Sequence, residues 1–172
     1  EEFGGPNLRA AARGGLAPGS PFEDPEQLFA LAERTGRIVD FERLCRARAL
    51  ESARRHLKPG AKLFLNTAAH TLDDSDVAGR GFVQRVDAQG LDHGDVVLEI
   101  AERLTFDQRQ RPQDVLHELK AEGFGIAIDD MGAGYSSLQS IVELEPDYLK
   151  FDIALVRNID RSLIKRSPLE TL

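Results

Sequence analysis

The sequence predicts an α/β fold with a parallel sheet whose polar residues gather at one edge. Two observations predict it: short apolar runs alternate with segments of helical periodicity, and each run carries a polar residue near its carboxyl end. The runs are residues 62–66, 96–100, 125–129 and 148–152. Their polar residues Asn66, Glu99, Asp129 and Lys150 lie 33, 30 and 21 residues apart, intervals that fit successive strand–helix units.

Two helices are predicted before the first strand. Asp24-Pro25-Glu26-Gln27 offers an N-cap, a proline in the first turn and a capping-box glutamine, and Gly36 ends that helix. A second helix is expected from about Asp40 to Leu57, stopped by Pro59-Gly60. The helices between the strands are predicted near Val77–Gln89, Pro112–Ala121 and Ser137–Leu144.

Residues 1–21 form a region of different composition, rich in glycine and proline, and are expected to be a flexible lead-in. Such a segment is either foreign to the domain or a degenerate first strand. The folded domain is expected to occupy residues 22–172.

Composition narrows the class of protein. With 41% hydrophobic and 30% charged residues, the chain can build a packed core. A net charge of -7 argues against binding long nucleic acid, although a bound cation would still allow a small anionic ligand. Cys45 is the only cysteine, so no internal disulfide is possible and a reducing cytoplasm is expected. We expect no membrane segment in this chain, because no apolar run approaches about 20 residues.

The polar residues at the strand ends suggest a metal site. The carboxyl ends of parallel strands form the active face of such folds, and neighbouring strands are close enough for side chains to converge. Oxygens of Asn66, Glu99, Asp129 and Asp130 are hard ligands suited to magnesium, manganese or calcium, whereas no paired His or Cys spacing favours zinc. Lys150 beside them could steady a phosphate or orient a hydroxide.

Each of these residues also has a purely structural interpretation. Asn66 could start a turn, Asp129-Asp130 could belong to the glycine-rich turn that follows, and Lys150 alone could extend from a strand edge to solvent. Glu99 resists this interpretation, because a lone carboxylate inside an apolar run is costly unless it is paired or bound to a metal. The four histidines show no ligand spacing. The joint pattern favours a site.

Five segments together resemble the EAL family of cyclic di-GMP phosphodiesterases. Residues 129–138 are similar to the family's DDFGTGYSSL signature, 98–102 to LEITE and 149–152 to LKID. Leu65-Asn66 matches the Asn-bearing strand, and residues 31–36 match the LAExTG helix. The resemblance covers about residues 22–164, in the family's order.

The resemblance implies a TIM-like barrel close to (βα)8 with one antiparallel strand, of which this chain holds the N-terminal and central part. It also implies a two-metal site for Mg2+ or Mn2+ that hydrolyses cyclic di-GMP to linear pGpG, in a protein that forms homodimers. Asn66, Glu99 and Asp129 would bind one metal, Asp129 would bridge to a second, and Asp130 would contribute there. Lys150 would hold the attacking water.

The resemblance extends to two more residues, and it also shows departures. Glu102 would brace the loop 129–137 and assist catalysis. Arg9-Ala10-Ala11 stands where the family has its Glu-Ala-Leu metal ligand, which places Arg13 on the phosphate-contacting arginine. Met131 and Ala133 are milder changes.

The family's later AEGVE and glutamine motifs are absent from the 172 residues. Four strands cannot close a cylinder, so another chain or a longer polymer is expected to complete the sheet. Residues 1–172 alone are expected to hydrolyse negligible cyclic di-GMP. Two alternatives stay open: a degenerate EAL domain that binds cyclic di-GMP or a protein partner without hydrolysis, and a magnesium-dependent barrel enzyme acting on a carboxylate substrate.

Overall fold

The computed structural model describes residues 24–72, 74, 77–78, 80–101, 110–131, 141–142 and 144–151. The helices of this part are α1 (Pro25–Arg34), α2 (Ile38–His56), α3 (Ala69–Leu72), α4 (Arg80–Ala88) and α5 (Gln110–Ala121), with a short 3-10 helix at His93–Asp95. The strands are β1 (Leu63–Thr67), β2 (Val96–Ala101), β3 (Gly125–Met131) and β4 (Tyr148–Phe151). Residues 141, 142 and 144 are also helical.

The four strands form one parallel sheet in the order β1-β2-β3-β4. Strands that pair in chain order with helical connections are the repeated unit of α/β barrels. The parallel sheet and the helices between its strands confirm the α/β prediction, and all four strands lie within a residue or two of the predicted runs.

The core lies between the helices and one face of the sheet. Side chains that are almost wholly buried come from β1, β2 and β3 and from α2, α3, α4 and α5; the largest are Phe82, Phe124, Leu50, Leu63, Leu65, Leu72, Leu98, Ile100, Leu119, Ile126 and Ile128. Phe82 of α4 packs on Phe124 at the start of β3, with ring centroids 5.1 Å apart. Burying such side chains supplies most of the stabilisation of a domain of this size.

The predicted helices before β1 and at 77–89 and 112–121 are confirmed with shifted ends, whereas most of the one predicted at 137–144 lies outside the described residues, of which 141, 142 and 144 are helical. The first helix ends before Gly36, whose φ of 68° lies in the left-handed region that glycine adopts readily. The predicted helix 77–89 is shorter in the structure, beginning at Arg80, and two short helices at 69–72 and 93–95 were not predicted. The interpretation of residues 1–21 as a lead-in lies outside the described residues.

Cys45 is buried in α2, and its burial, with a smaller effect of the Glu42 carboxylate, raises the pKa of the thiol to about 11. A thiol with such a pKa stays protonated at neutral pH and is a poor nucleophile. None of the helices in the described part of the chain combines the length and apolarity that a membrane crossing requires.

Candidate active site

The site lies on the sheet face that points away from the helices. In β1, Leu63, Leu65 and Thr67 are buried against the core, whereas the alternate residues Phe64 and Asn66 are more exposed. This alternation follows from the period of two in a strand. Phe64 and Asn66 therefore share the concave face, which is the inner face of the barrel that the fold predicts.

The pairing register places three of the predicted residues side by side on this face. Asn66 of β1 pairs with Glu99 of β2, and Glu99 pairs with Ala127 of β3. Asp129 lies two residues beyond Ala127 and so projects from the same face, one step closer to the carboxyl end. Parallel pairing keeps registered residues on one side of a sheet, which is why residues so distant in sequence meet here.

A β-bulge interrupts the pairing of β3 with β4 at the two aspartates. Ile128 pairs with Leu149 and Met131 with Phe151, so that Asp129 and Asp130 together stand opposite the single residue Lys150. A bulge of this kind inserts one extra residue and re-aims the local side chains. The backbone of both aspartates therefore lies opposite the predicted catalytic lysine at the carboxyl end of the sheet.

Glu99 is the electrostatic centre of the site. It is only 7% exposed, and the Lys150 Nζ atom lies 2.5 Å from its Oε2 atom. Burial raises the pKa of the Glu99 carboxyl, and a hydrogen-bonding contact with the Asp129 carboxyl raises it further, while the Lys150 ammonium opposes both effects. Two carboxyls that share one buried position repel each other when ionised, and a nearby cation relieves that repulsion.

Aromatic rings lie beneath the ammonium group. Lys150 Nζ is 4.7 Å from the centroid of the Phe64 ring, and the Phe64 ring packs edge-on against Tyr148 with centroids 5.3 Å apart. Phe64 belongs to β1 and the other two residues to β4, the two outer strands of the described sheet. Since neighbouring strands lie about 4.8 Å apart, these contacts require a strongly curved sheet.

The residues fit a divalent cation in their chemistry. Asn66, Glu99 and Asp129 offer one carboxamide and two carboxylates, the oxygen ligands of Mg2+, Mn2+ or Ca2+. Burial and the neighbouring Asp129 carboxyl, which raise the pKa of Glu99, are both effects that a bound cation would oppose. Within the described residues, no group of three or more His, Cys, Asp or Glu side chains is arranged as a metal site.

Two of the predicted site residues, Glu102 and Arg13, lie outside the described residues. Sequence reasoning missed Phe64, Tyr148 and Ala127, which complete this face. Their signal was the period of two: Phe64 precedes Asn66 by two residues, as Tyr148 precedes Lys150 and Ala127 precedes Asp129.

Comparison with known proteins identifies the relatives of this chain. The family model described as "EAL domain" matches residues 9–170. The chain is 29% identical over 132 residues to the biofilm architecture maintenance protein MbaA of Vibrio cholerae, covering 74% of this chain and 16% of that protein. It is 32% identical over 139 residues to MucR of Pseudomonas aeruginosa, described as a bifunctional diguanylate cyclase/cyclic di-GMP phosphodiesterase, covering 78% of this chain and 20% of that protein.

The fold comparison agrees with the sequence comparison. The structure of BlrP1 from Klebsiella pneumoniae, described as a manganese/cy-diGMP complex at pH 6, matches with a TM-score of 0.75 and 29% identity. The match covers 86% of this chain and 37% of that one. The chain thus spans well under half the length of each of these three proteins.

Proposed function

Because this chain belongs to the EAL domain family, we propose that it forms part of a phosphodiesterase that hydrolyses cyclic di-GMP to linear pGpG. The observation that carries the proposal is the cluster in which Glu99 meets Asp129 and Lys150 beside Asn66. This cluster joins acidic oxygens to a single ammonium on the concave face, a combination suited to a phosphodiester and its attacking water. The manganese/cy-diGMP complex of BlrP1, a relative at 29% identity, supports the choice of substrate and of a divalent cation such as Mn2+.

We propose the following roles on this face. Asn66, Glu99 and Asp129 would hold divalent cations, with Asp130 contributing beside Asp129. Such cations supply positive charge that stabilises the phosphodiester as negative charge develops on its oxygens. The ammonium of Lys150 would donate a hydrogen bond to the water that attacks phosphorus and hold it on the side facing Asp129 and Asp130.

Two further roles follow from the family resemblance. Glu102 would brace the loop 129–137, and Arg13 would contact a substrate phosphate as a fixed positive charge. Residues 22–172 would form the EAL part of the protein, after a lead-in of residues 1–21. A homodimer and a cytoplasmic location complete the proposal.

A second candidate function rests on one sequence observation. Arg9 stands where the family has the glutamate of its Glu-Ala-Leu motif, so a cation replaces a carboxylate. A domain altered in this way would bind cyclic di-GMP through Arg13 and the concave face without turning it over. This alternative makes the protein a receptor for the same ligand.

The test is turnover by the intact protein with Mg2+ or Mn2+, followed by chromatography of linear pGpG. We expect Asp129→Asn to lower kcat by more than about 100-fold, beyond the usual cost of losing an outer-sphere partner of a metal site. Lys150→Ala should lower kcat while the dissociation constant for Mn2+ changes little. The exposed Asp114 of α5 provides a matched control, and Asp114→Asn should keep normal turnover.

The outcomes separate the two candidates. Binding of cyclic di-GMP by calorimetry without formation of pGpG would establish the receptor. Near-normal hydrolysis by Asp129→Asn would refute the assigned metal ligands. If the protein neither binds nor hydrolyses cyclic di-GMP, the remaining alternative is a magnesium-dependent enzyme that acts on a carboxylate substrate.

A further inference from the structure

We propose that Phe64 is a positioning residue that holds the Lys150 ammonium against the Glu99 carboxylate. The proposal concerns a residue of β1 that approaches Lys150 across the whole described sheet. Its consequence for turnover rests on the proposed function, whereas its consequence for the placement of Lys150 does not.

The first step is the geometry of the ammonium group. Nζ of Lys150 is 2.5 Å from Glu99 Oε2 and 4.7 Å from the centroid of the Phe64 ring, a distance at which an ammonium is attracted to a ring face. A lysine side chain is flexible, and one bond to Glu99 fixes only its tip. The ring supplies a second contact on a different strand, which removes the freedom that the carboxylate leaves.

The second step is what holds the ring. Tyr148 packs against Phe64 at an interplanar angle of 72°, the edge-to-face arrangement that aromatic pairs prefer. Tyr148 lies two residues before Lys150 on β4. Tyr148, which orients the Phe64 ring, and Lys150, whose ammonium lies over that ring, therefore belong to one strand. Phe64 thereby ties β4 to β1 two residues before the level of the Asn66–Glu99 pair.

Phe64 could position Lys150 through its ring face, or it could only fill apolar space, and substitutions distinguish the two roles. The Phe64 side chain is only partly buried, and a leucine would provide apolar volume without a π face. If Phe64 only filled space, leucine and tyrosine would differ in stability alone. If the ring face attracts the ammonium, tyrosine preserves the effect and leucine removes it.

The experiment uses the intact protein labelled with 13C-lysine, in which Lys150→Arg assigns the signal of Lys150. In the wild type the ring current of Phe64 should shift the terminal methylene protons of Lys150 upfield. We expect Phe64→Leu to abolish that shift and, by 13C relaxation, to make the terminal methylene of Lys150 as mobile as that of an exposed lysine, whereas Phe64→Tyr should retain both the shift and the rigid methylene. Val97, which pairs with Phe64 on the same face, gives the control, and Val97→Ala should lower stability while leaving the Lys150 signal unchanged.

Kinetics provide the second measurement. Phe64→Leu should lower kcat about fivefold, equivalent to about 1 kcal/mol, with KM unchanged, and Phe64→Tyr should restore it. A terminal methylene of Lys150 that stays as rigid in Phe64→Leu as in the wild type would overturn the proposal, as would a mobile methylene with unchanged kcat. A wild-type protein that binds but does not hydrolyse cyclic di-GMP would refute the proposed function only, since the mobility of the Lys150 methylene in Phe64→Leu still decides whether Phe64 places Lys150.

Discussion

Asp74 gives the sharpest prediction about stability, because a buried ion pair there anchors the chain after β1 to α2. Arg43 donates to both oxygens of Asp74, with Nε–Oδ2 at 2.8 Å and Nη2–Oδ1 at 2.5 Å. The Asp74 side chain is only 4% exposed and that of Arg43 is 43% exposed, while Nη2 of the buried Arg46 lies 4.0 Å from Oδ2. The perturbation is Asp74→Asn, which removes the charge and keeps the shape.

The magnitude follows from this arrangement. Breaking a buried pair by removing one charge costs about 3–5 kcal/mol when the partner stays buried. The half-exposed guanidinium of Arg43 regains some hydration, whereas that of Arg46 does not, so we expect a loss of about 2–4 kcal/mol. Arg43→Gln should cost less, about 1–2 kcal/mol, because the Arg46 guanidinium still faces the Asp74 carboxylate.

The assay is urea unfolding of the intact protein, followed by circular dichroism. Glu51 of α2 provides the control, because its ion pair with Arg48 at 3.0 Å is exposed to solvent. Glu51→Gln should change the free energy of unfolding by less than about 1 kcal/mol. A loss for Asp74→Asn no greater than that of the control would refute the reasoning.

Two further predictions concern His93, in the short 3-10 helix before β2, and Ala127 of β3. The backbone carbonyl of Glu122 and, to a smaller extent, the Asp87 carboxylate raise the pKa of His93, because both accept hydrogen bonds from the protonated ring. These hydrogen bonds therefore stabilise the folded state fully below about pH 6.5, and the stabilisation is lost as the pH rises through the raised pKa. Urea unfolding of wild type and His93→Gln should therefore show a stability difference that shrinks as the pH rises above about 6.5, and a growing difference would contradict this assignment. Ala127→Leu should cost about 1–3 kcal/mol and displace Lys150 from Glu99, since Ala127 is fully buried between their strands. Unchanged Lys150 resonances in the Ala127→Leu variant would show that the small side chain of Ala127 is not needed for Lys150 to reach Glu99.

The strands and the longer helices could be predicted because their patterns are local. Apolar runs of about five residues between turn signals are too short for most helices and favour strands, and proline and glycine mark the ends of α1 and α2. The short helices at 69–72 and 93–95 were missed because fewer than two turns leave no measurable periodicity. The Asp92 side chain accepts from the backbone of Gly94 and stabilises the second of them, a contact that only the folded chain reveals.

The site was predictable in its residues and unpredictable in its contacts. Asn66, Glu99, Asp129 and Lys150 were visible as polar residues that end apolar runs, and the parallel register accounts for their meeting. The bulge that sets Asp129 and Asp130 opposite Lys150 depends on the pairing of two strands and has no local sequence signal. The contact of Phe64 with Lys150 depends on the curvature of the whole sheet.

These contacts give Glu99 and Phe64 complementary parts in placing one ammonium group. Glu99 is also the neighbour of Asp129, and its carboxylate is the group that we assign to hold divalent cations, so its bond to Lys150 competes with the charge that the site would take up. The ring of Phe64 is not a metal ligand and carries no net charge. Its attraction for Lys150 therefore persists whatever charge gathers at Glu99, and a lysine that is to orient water beside metal ligands needs such an independent partner.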